Sequence, residues 1–199
     1  MSEMAENELN EALELLGTLL EDSDVGSISL VVAGGSALVA QKLISRRTHD
    51  VDVIAMEWGE VRAYPLPESL KAAAARVARE LNLDPNWLNS SISMFLGRDQ
   101  LPEWLWWSLD TRTYGKSLSV SFIKREGLVL LKLYAAIDRD EARDLADLLA
   151  LTPTEDEVQR HLTWILGEIL GQTTHPKLEA VLNHLGHGHL LSRVQPAAQ

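Results

Sequence analysis

Apolar residues recur at helical spacing near the start of the chain, and a continuous apolar run follows soon after. Four leucines three or four residues apart predict an amphipathic helix over about residues 6–20. They are Leu9, Leu13, Leu16 and Leu20. The β-branched run Ile28–Ala33 is typical of a buried strand. A helix over Ser36–Ile44 and a second apolar strand, which carries Asp50 and Asp52, are predicted to follow.

Later segments continue this mixture of helices and strands. Met56–Leu66 includes a glycine and a proline and is predicted to be a loop, whereas the alanine-rich segment Pro67–Leu81 favours a helix. Asp84–Leu88 is predicted to form a short helix, because an acid followed by proline is a common helix start. Thr111–Ile123 alternates apolar residues with serines and predicts a hairpin beside the second strand.

The last third of the chain carries helical patterns only. The predicted helices are Gly127–Ile137, Asp138–Leu151 as its continuation or restart, Thr154–Leu170 with a capping box, and Pro176–Leu185. The predicted fold is therefore α+β. A small, mixed, twisted sheet with helices forms a core over residues 1–125, and a helical part, residues 126–199, packs on it.

Two polar motifs flank the first helix after the first strand and suit a nucleoside triphosphate. Gly34, Gly35 and Ser36 form a turn into that helix, and glycines let a ligand approach the backbone closely. The N–H groups at a helix start favour a phosphate. Asp50 and Asp52 are separated by one residue, so on a strand their carboxylates point to the same side and can bind one cation. Together the motifs predict a site for a triphosphate with Mg²⁺, or Mn²⁺ as the alternative.

These motifs resemble the core of the DNA-polymerase-β-type nucleotidyltransferase superfamily. Gly-Gly-Ser followed by Thr-His-Asp-Val-Asp-Val is most similar to the AbiEii/MenT-like bacterial nucleotidyltransferase toxins and a small group related to them. Asp84–Asn89 and Leu130–Thr154 support the resemblance, which covers most of residues 28–165. The resemblance implies transfer of a nucleoside monophosphate from an NTP to an acceptor hydroxyl. It also implies RNA, such as a tRNA end, as the acceptor, and a cognate partner protein in a toxin–antitoxin setting.

The resemblance also implies roles for individual residues. The metal ligands are Asp50 and Asp52; the catalytic group adds Lys132, Asp144 and Asp147; the nucleotide-binding group is Gly34, Gly35, Ser36, Lys132 and Arg143. Many members of the superfamily carry a third carboxylate on a later strand, where it activates the attacking hydroxyl. The corresponding strand of the predicted hairpin offers only serines. Asp110, Glu126 and Asp147 are the alternatives for that role.

Lys132 is a candidate on its own residue pattern as well. It lies between leucines and a tyrosine, and an ammonium group in an apolar stretch needs a partner, such as a triphosphate, Asp50 or Asp52. A continuous helix would bring four charged residues to one side, whereas a break near residue 138 would separate them. These four are Lys132, Arg139, Arg143 and Asp147.

Composition narrows the class of protein. The chain has no cysteine, which excludes disulfides and thiolate metal sites, and it has no apolar run long enough for a membrane span. A cytoplasmic location is the expectation. The net charge is −11, but residues 1–24 hold eight acids and no Lys or Arg, which leaves 21 acids against 18 bases elsewhere. Most of the negative charge therefore belongs to the first helix rather than to the predicted site.

Three further clusters have structural as well as functional interpretations. Leu101–Leu109 holds three tryptophans, which favour core packing or a protein interface over base stacking. The histidines near the C-terminus, His184, His187 and His189, favour a helix end over a metal site. Basic residues near the predicted site suit an RNA backbone, although the chain has no broad basic stripe. They are Lys42, Arg46 and Arg47.

The sequence thus predicts a metal-dependent nucleotidyltransferase. The alternative is a catalytically degenerate nucleotidyltransferase-fold protein that binds nucleotide or another protein. The absence of a third strand carboxylate favours the alternative. The joint presence of the glycine turn, the two-carboxylate clamp and Lys132 favours the enzyme, because a protein that only binds nucleotide has no evident need for a metal clamp.

Overall fold

A computed structural model describes residues 3–23, 26–57, 61–94, 96–139, 141–169 and 176–194, without the side chains of Asp99, Ile169 and Val194. Within these residues the protein is α+β, with a mixed six-stranded sheet, and the predicted class is confirmed. The chain divides into two compact units, Met1–Lys124 and Arg125–Gln199. In the described part, no helix is both long and apolar enough to cross a membrane.

The first unit contains the whole sheet. Its helices are α1 (Glu6–Asp22), α2 (Gly34–Ala40), α3 (Glu68–Leu81) and α4 (Glu103–Trp107). Its strands are β1 (Ile28–Ala33), β2 (Val51–Met56), β3 (Val61–Arg62), β4 (Leu88–Asn89), β5 (Leu109–Tyr114) and β6 (Leu118–Ile123). The strand order is β3-β2-β1-β6-β5, and β4 also pairs with β2.

The core of this unit forms between the sheet and the helices. All six residues of β1 are buried, as the apolar run predicts. The four leucines of α1 are each fully buried, so the predicted amphipathic helix is confirmed. Its acids lie on the exposed or half-buried side, which is where a helix keeps its charges when one stripe packs on a core.

The predicted hairpin forms, but its position in the sheet differs from the prediction. β5 and β6 pair antiparallel, and β6 then runs parallel to β1 rather than beside β2. The prediction of a loop over Met56–Leu66 also needs correction, because β3 pairs antiparallel with the end of β2 in that segment. Alternation of apolar residues shows that a segment is a strand, but it does not show which strand is its neighbour.

The prediction of a helix over Asp84–Leu88 is wrong. Asp84 Oδ1 accepts a hydrogen bond from the Asn86 N–H at 2.8 Å, which closes a turn instead. The Trp87 carbonyl then accepts the Val51 N–H at 2.5 Å, and β4 continues parallel to β2. Pairing with a strand already in the sheet therefore overrides the local helix-start signal of Asp-Pro.

The helix after the glycine turn is shorter than predicted and begins earlier. α2 starts at Gly34 rather than Ser36 and ends at Ala40 rather than near Ile44. Lys42 has a positive φ of 57°, a left-handed conformation that a helix cannot continue through. The glycines thus form the first turn of α2 instead of a separate loop before it.

The second unit is helical in its described part. Its helices are α5 (Arg125–Asp138), α6 (Ala142–Ala150), α7 (Glu155–Trp164), α8 (Leu178–His184) and α9 (Leu191–Val194). A π-helical turn over Ile165–Ile169 follows α7, and the predicted end of that helix at Leu170 lies outside the described residues. The predicted capping box is confirmed, since Thr154 Oγ1 accepts the Glu157 N–H at 3.3 Å. The helix predicted over Pro176–Leu185 corresponds to α8. It is not the last helix, because α9 follows it.

Stability of the second unit is expected to fall below neutral pH because of His161 on α7. Burial, together with the smaller effect of the Arg160 charge, lowers the pKa of His161 from 6.5 to about 4. Between pH 6.5 and 4 the unfolded chain therefore binds a proton that the folded unit does not, and the free energy of unfolding decreases as pH falls, by up to roughly 3 kcal/mol. Hydrogen exchange of the α7 amides at pH 7 and pH 5 measures this.

The matched control replaces an exposed histidine of the same unit, His184, with glutamine. His184→Gln should keep the full pH dependence, and His161→Leu should remove most of it. An equal pH dependence of stability in wild type and His161→Leu would show that His161 is not its cause.

Candidate functional site

The end of β1 and the start of β2 bring the glycine turn and the aspartates together. Asp52 pairs with Ala33, the last residue of β1, so its side chain lies beside the start of α2. A Cβ atom added to Gly34 would come within 2.6 Å of Asp52 Oδ2, and Gly34 has a φ of +70°. Only glycine fits this contact without displacing the carboxylate.

Gly35 and Ser36 also have close neighbours in the turn and beside it. A Cβ atom on Gly35 would lie 2.7 Å from Thr48 Oγ1 and 3.1 Å from Arg46 Nη2. The guanidinium of Arg46 is therefore next to the turn. Ser36 is fully buried, and its hydroxyl donates to the Ala33 carbonyl at 3.3 Å. Its side chain thus stabilises the first turn of α2.

The aspartates open onto a cavity of about 590 Å³. Asp50 lies one residue before β2, and Asp52 is the second residue of that strand; both are half-buried. The cavity is lined by His49, Asp50, Asp52, Asp84, Asn86, Asn89 and Ser91. The two predicted metal ligands therefore share one cavity with residues of the turn before β4 and of the segment after it.

Sequence reasoning missed the cavity residues between 84 and 91. The segment Asp-Pro-Asn-Trp-Leu-Asn-Ser-Ser is rich in short polar side chains, and that composition was the available signal. The helix predicted there would have scattered these side chains around an axis. In the structure β4 pairs Asn89 with Asp52, and Asn89 Nδ2 donates to Asp52 Oδ1 at 3.2 Å.

This pairing shows which strands and side chains lie beside Asp52. The strands beside β2 are β1, β3 and β4, and β4 carries Asn89 next to Asp52; the serines of β6 lie on the far side of β1. Two of the predicted substitutes have ion-pair partners elsewhere. Asp110 pairs with Arg112 at 3.0 Å, and Glu126, in the second unit, pairs with Arg160 at 3.3 Å.

The donors present suit a magnesium ion. Carboxylate oxygens are the hard ligands that Mg²⁺ prefers, and Mg²⁺ is usually held by one or two carboxylates together with substrate phosphates and water. Asp50 and Asp52 supply such a pair at the cavity, and Asn89 orients one oxygen of Asp52. In the described part of the chain, no group of three or more His, Asp and Glu gathers as a metal-binding cluster.

The second unit holds a separate cluster of charges between α5 and α6. Lys132 Nζ lies 2.6 Å from Asp144 Oδ1 and 2.8 Å from Asp147 Oδ2. All three residues are at least nine-tenths buried. Asp144 Oδ2 is buried and has no hydrogen-bond partner within the described residues. One cation thus faces two carboxylates, and the partner that Lys132 needs is supplied by α6.

The break between α5 and α6 explains this arrangement. Because α5 ends at Asp138 and α6 begins at Ala142, the second helix turns back and its aspartates reach Lys132. The shared face predicted for a continuous helix does not form. Arg139 and Arg143 are exposed, and Asp140 lies outside the described residues.

Basic residues near the glycine turn interact with α1 and the segment before it. Lys42 Nζ lies 3.2 Å from Glu6 Oε2. Arg47 pairs with Glu8 and donates to the Glu3 carbonyl. The acidic face of α1 therefore offsets the positive charge expected to meet RNA.

Some residues of the tryptophan segment and of the C-terminal histidine cluster have contacts within the fold. Trp106 is buried, with the Arg98 guanidinium 5.7 Å from its ring centre, whereas Trp107 is 75% exposed. Core packing therefore accounts for only part of the tryptophan segment. In the other cluster, His189 Nε2 lies 2.9 Å from Glu155, and the hydrogen bond with His189 lowers the pKa of that carboxyl.

A protein-family model matches a segment of the first unit. Residues 7–101 match the model of a family described as "Nucleotidyltransferase of unknown function (DUF6036)". The matched segment includes the glycine turn and every residue that lines the cavity, whereas the Lys132 cluster lies outside it. No curated protein and no solved structure matches the chain. Residues 7–101 are thus similar to a nucleotidyltransferase domain.

Proposed function

We propose that the protein is a magnesium-dependent nucleotidyltransferase that moves a nucleoside monophosphate from an NTP to an acceptor hydroxyl. The observation that carries this proposal is the contact between Asp52 and the glycine turn. Asp52, the proposed metal ligand, lies against the backbone that would bind phosphate, and Asp50 lines the same cavity as Asp52. The family match over residues 7–101 supports the same reaction class.

In this reaction the protein would position the metal and the phosphates and would offset their charge. Asp50 and Asp52 would hold the magnesium, which when bound neutralises phosphate charge and lowers the pKa of the acceptor hydroxyl. Gly34 and Gly35 would present backbone N–H groups to the β- and γ-phosphates, and Ser36 would support their turn. Arg46, beside Gly35, would add positive charge at the same end.

Roles for residues of the second unit rest on the resemblance to AbiEii/MenT-like proteins. We propose Lys132 as the residue that offsets negative charge in transfer, with Asp144 and Asp147 as its positioning partners. Their burial supports a defined geometry. Arg143, exposed on α6, is proposed as a nucleotide contact.

RNA as acceptor and a toxin–antitoxin setting with a cognate partner protein are proposals from the same resemblance. The pairing of Lys42 and Arg47 with acids of α1 weighs against a broad RNA-binding surface, since phosphate contacts need available cations. A second candidate function is nucleotide binding without catalysis. Asn89 favours this second function, because the strand beside Asp52 carries an amide where a carboxylate would serve as a base.

The test is transfer of label from each of four α-labelled nucleoside triphosphates, in Mg²⁺, to total RNA and to a cell extract. Label on RNA, protein or a small molecule would support the enzyme and identify its acceptor class. Nucleotide binding by calorimetry without transfer from any of the four would reject it in favour of the binding protein.

A change at Gly34 is expected to weaken both stability and transfer. Gly34→Ala places an L-residue at a φ of +70°, which costs about 1–2 kcal/mol, and its Cβ would displace the Asp52 carboxylate. A misplacement of about 1 Å can reduce a rate about 100-fold. Chemical denaturation and label transfer measure the two effects.

Gly26→Ala is the matched control, because a Cβ atom there meets nothing within 4 Å. It should leave stability and transfer close to wild type. Equal activity of both alanine variants would show that the contact between Gly34 and Asp52 is dispensable.

A further inference from the structure

The turn that carries Asp84 is fixed directly to the start of β2. The indole of Trp87 is fully buried, and its N–H donates to the Ala74 carbonyl of α3 at 2.9 Å. The backbone of Trp87 donates to the Asp84 carbonyl at 2.9 Å and accepts the Val51 N–H at 2.5 Å. The turn is therefore held between α3 and the strand of Asp52, and Asp84 has a defined place beside the metal-binding aspartates.

The Asp84 carboxylate is both oriented and available. Its Oδ1 accepts the Asn86 N–H at 2.8 Å, and its Oδ2 has no hydrogen-bond partner among the described residues. Asp84 is half-buried and lines the cavity together with Asp50 and Asp52. A carboxylate with one oxygen anchored and the other directed by that anchor is suited to accept a proton from a bound hydroxyl.

Other acids are less suited to this role. Asp50 and Asp52 are assigned to the metal, and Asp110 is paired with Arg112. Asn89, next to Asp52, has no proton-accepting carboxylate. His49 also lines the cavity. Its Nε2 lies 3.0 Å from Glu3 Oε1, so this ring nitrogen is already in contact with a carboxylate.

We propose that Asp84 is the general base of the transfer reaction; this inference rests on the proposed function. In the step, the acceptor O–H proton passes to the Asp84 carboxylate while the acceptor oxygen forms a bond to the α-phosphorus. The bond between the α-phosphorus and the bridging oxygen to the β-phosphorus breaks, and pyrophosphate leaves with that electron pair. The proton on Asp84 returns to water in the next cycle.

The test compares wild type with Asp84→Asn in label transfer from an α-labelled NTP to cell extract and total RNA, as a function of pH. Asparagine keeps an oxygen for the Asn86 N–H, so the turn is retained, but it accepts no proton. Transfer should fall about 100-fold or more at neutral pH, in line with the usual effect of a general base. The decrease of the wild-type rate at low pH should disappear in the variant. Affinity for Mn²⁺ and for a non-hydrolysable NTP should be unchanged.

Two further variants keep the test decisive. Asp84→Ser retains a side-chain acceptor for the turn and should show the same loss if the asparagine variant folds poorly. Asp22→Asn, at the exposed end of α1, removes one carboxylate away from the cavity and should transfer at the wild-type rate.

The outcomes separate this inference from the proposed function. If the wild-type protein transfers label and Asp84→Asn does so at the same rate, the assignment of Asp84 as the base is overturned, but the proposed function is not. Weaker Mn²⁺ binding with an unchanged pH profile would also overturn it, because Asp84 would then be a metal ligand. Absence of transfer by the wild-type protein itself would overturn the proposed function and this step with it.

Discussion

Asp52→Asn is expected to abolish nucleotidyl transfer, with a loss on the order of 10³-fold or more. Asp52 is the carboxylate that contacts the glycine turn, and removal of its charge would leave Asp50 as the only aspartate of the pair to hold the magnesium. The phosphates and the metal would then lack their common anchor. Label transfer in Mg²⁺ measures the loss, and Mn²⁺ titration should show weaker metal binding.

The fold should tolerate this substitution. Asparagine still offers an oxygen to Asn89 Nδ2, which donates to Asp52 Oδ1 at 3.2 Å in the wild type. The unfolding temperature should therefore stay close to that of the wild type, and Asp22→Asn serves as the control for loss of one negative charge. Wild-type transfer by a folded Asp52→Asn protein would refute the metal site.

Lys132→Met is expected to produce the largest loss of stability in the second unit. It leaves Asp144 and Asp147 buried side by side without their cation, and removal of one partner from a buried ion pair typically costs about 3–5 kcal/mol. The buried, unpartnered Oδ2 of Asp144 adds to this cost. Hydrogen exchange of the α5 and α6 amides reports the free energy of opening in this unit alone.

Two comparisons show whether charge is the cause. Arg160→Met removes an exposed pair with Glu126 in the same unit and should cost less than about 1 kcal/mol. Lys132→Met combined with Asp144→Leu and Asp147→Leu should recover most of the stability, because no buried charge is left. A loss below about 1 kcal/mol for Lys132→Met would contradict the role of this cluster in holding α5 to α6.

The candidate site was partly predictable, for reasons that differ between its residues. The glycine turn and the aspartates are separated by a single helix in sequence, so the local order of strand, turn, helix and strand already brought them together. Asp84 and Asn89 join the cavity only because β4 pairs with β2, and nothing in Asp84–Asn89 indicates that pairing. The segment's helix-start signal even pointed to a different local structure, and the sheet overrode it.

The cluster around Lys132 shows the same distinction. Its apolar neighbours predicted a buried ammonium group in need of a partner, but the partner depended on whether the helix continued past Asp138. The helix ends there, and α6 supplies Asp144 and Asp147.

The sequence by itself determined the α+β class, the leucine stripe of α1, β1, the hairpin and the capping box at Thr154. These features depend on the period of apolar residues and on turn and capping chemistry among near neighbours along the chain. The tertiary structure alone decided that β6 lies beside β1, that β4 places Asn89 against Asp52, and that Asp84 reaches the cavity. Strand neighbours are set by hydrogen bonds and burial between segments distant in sequence, and local patterns carry no information about those partners.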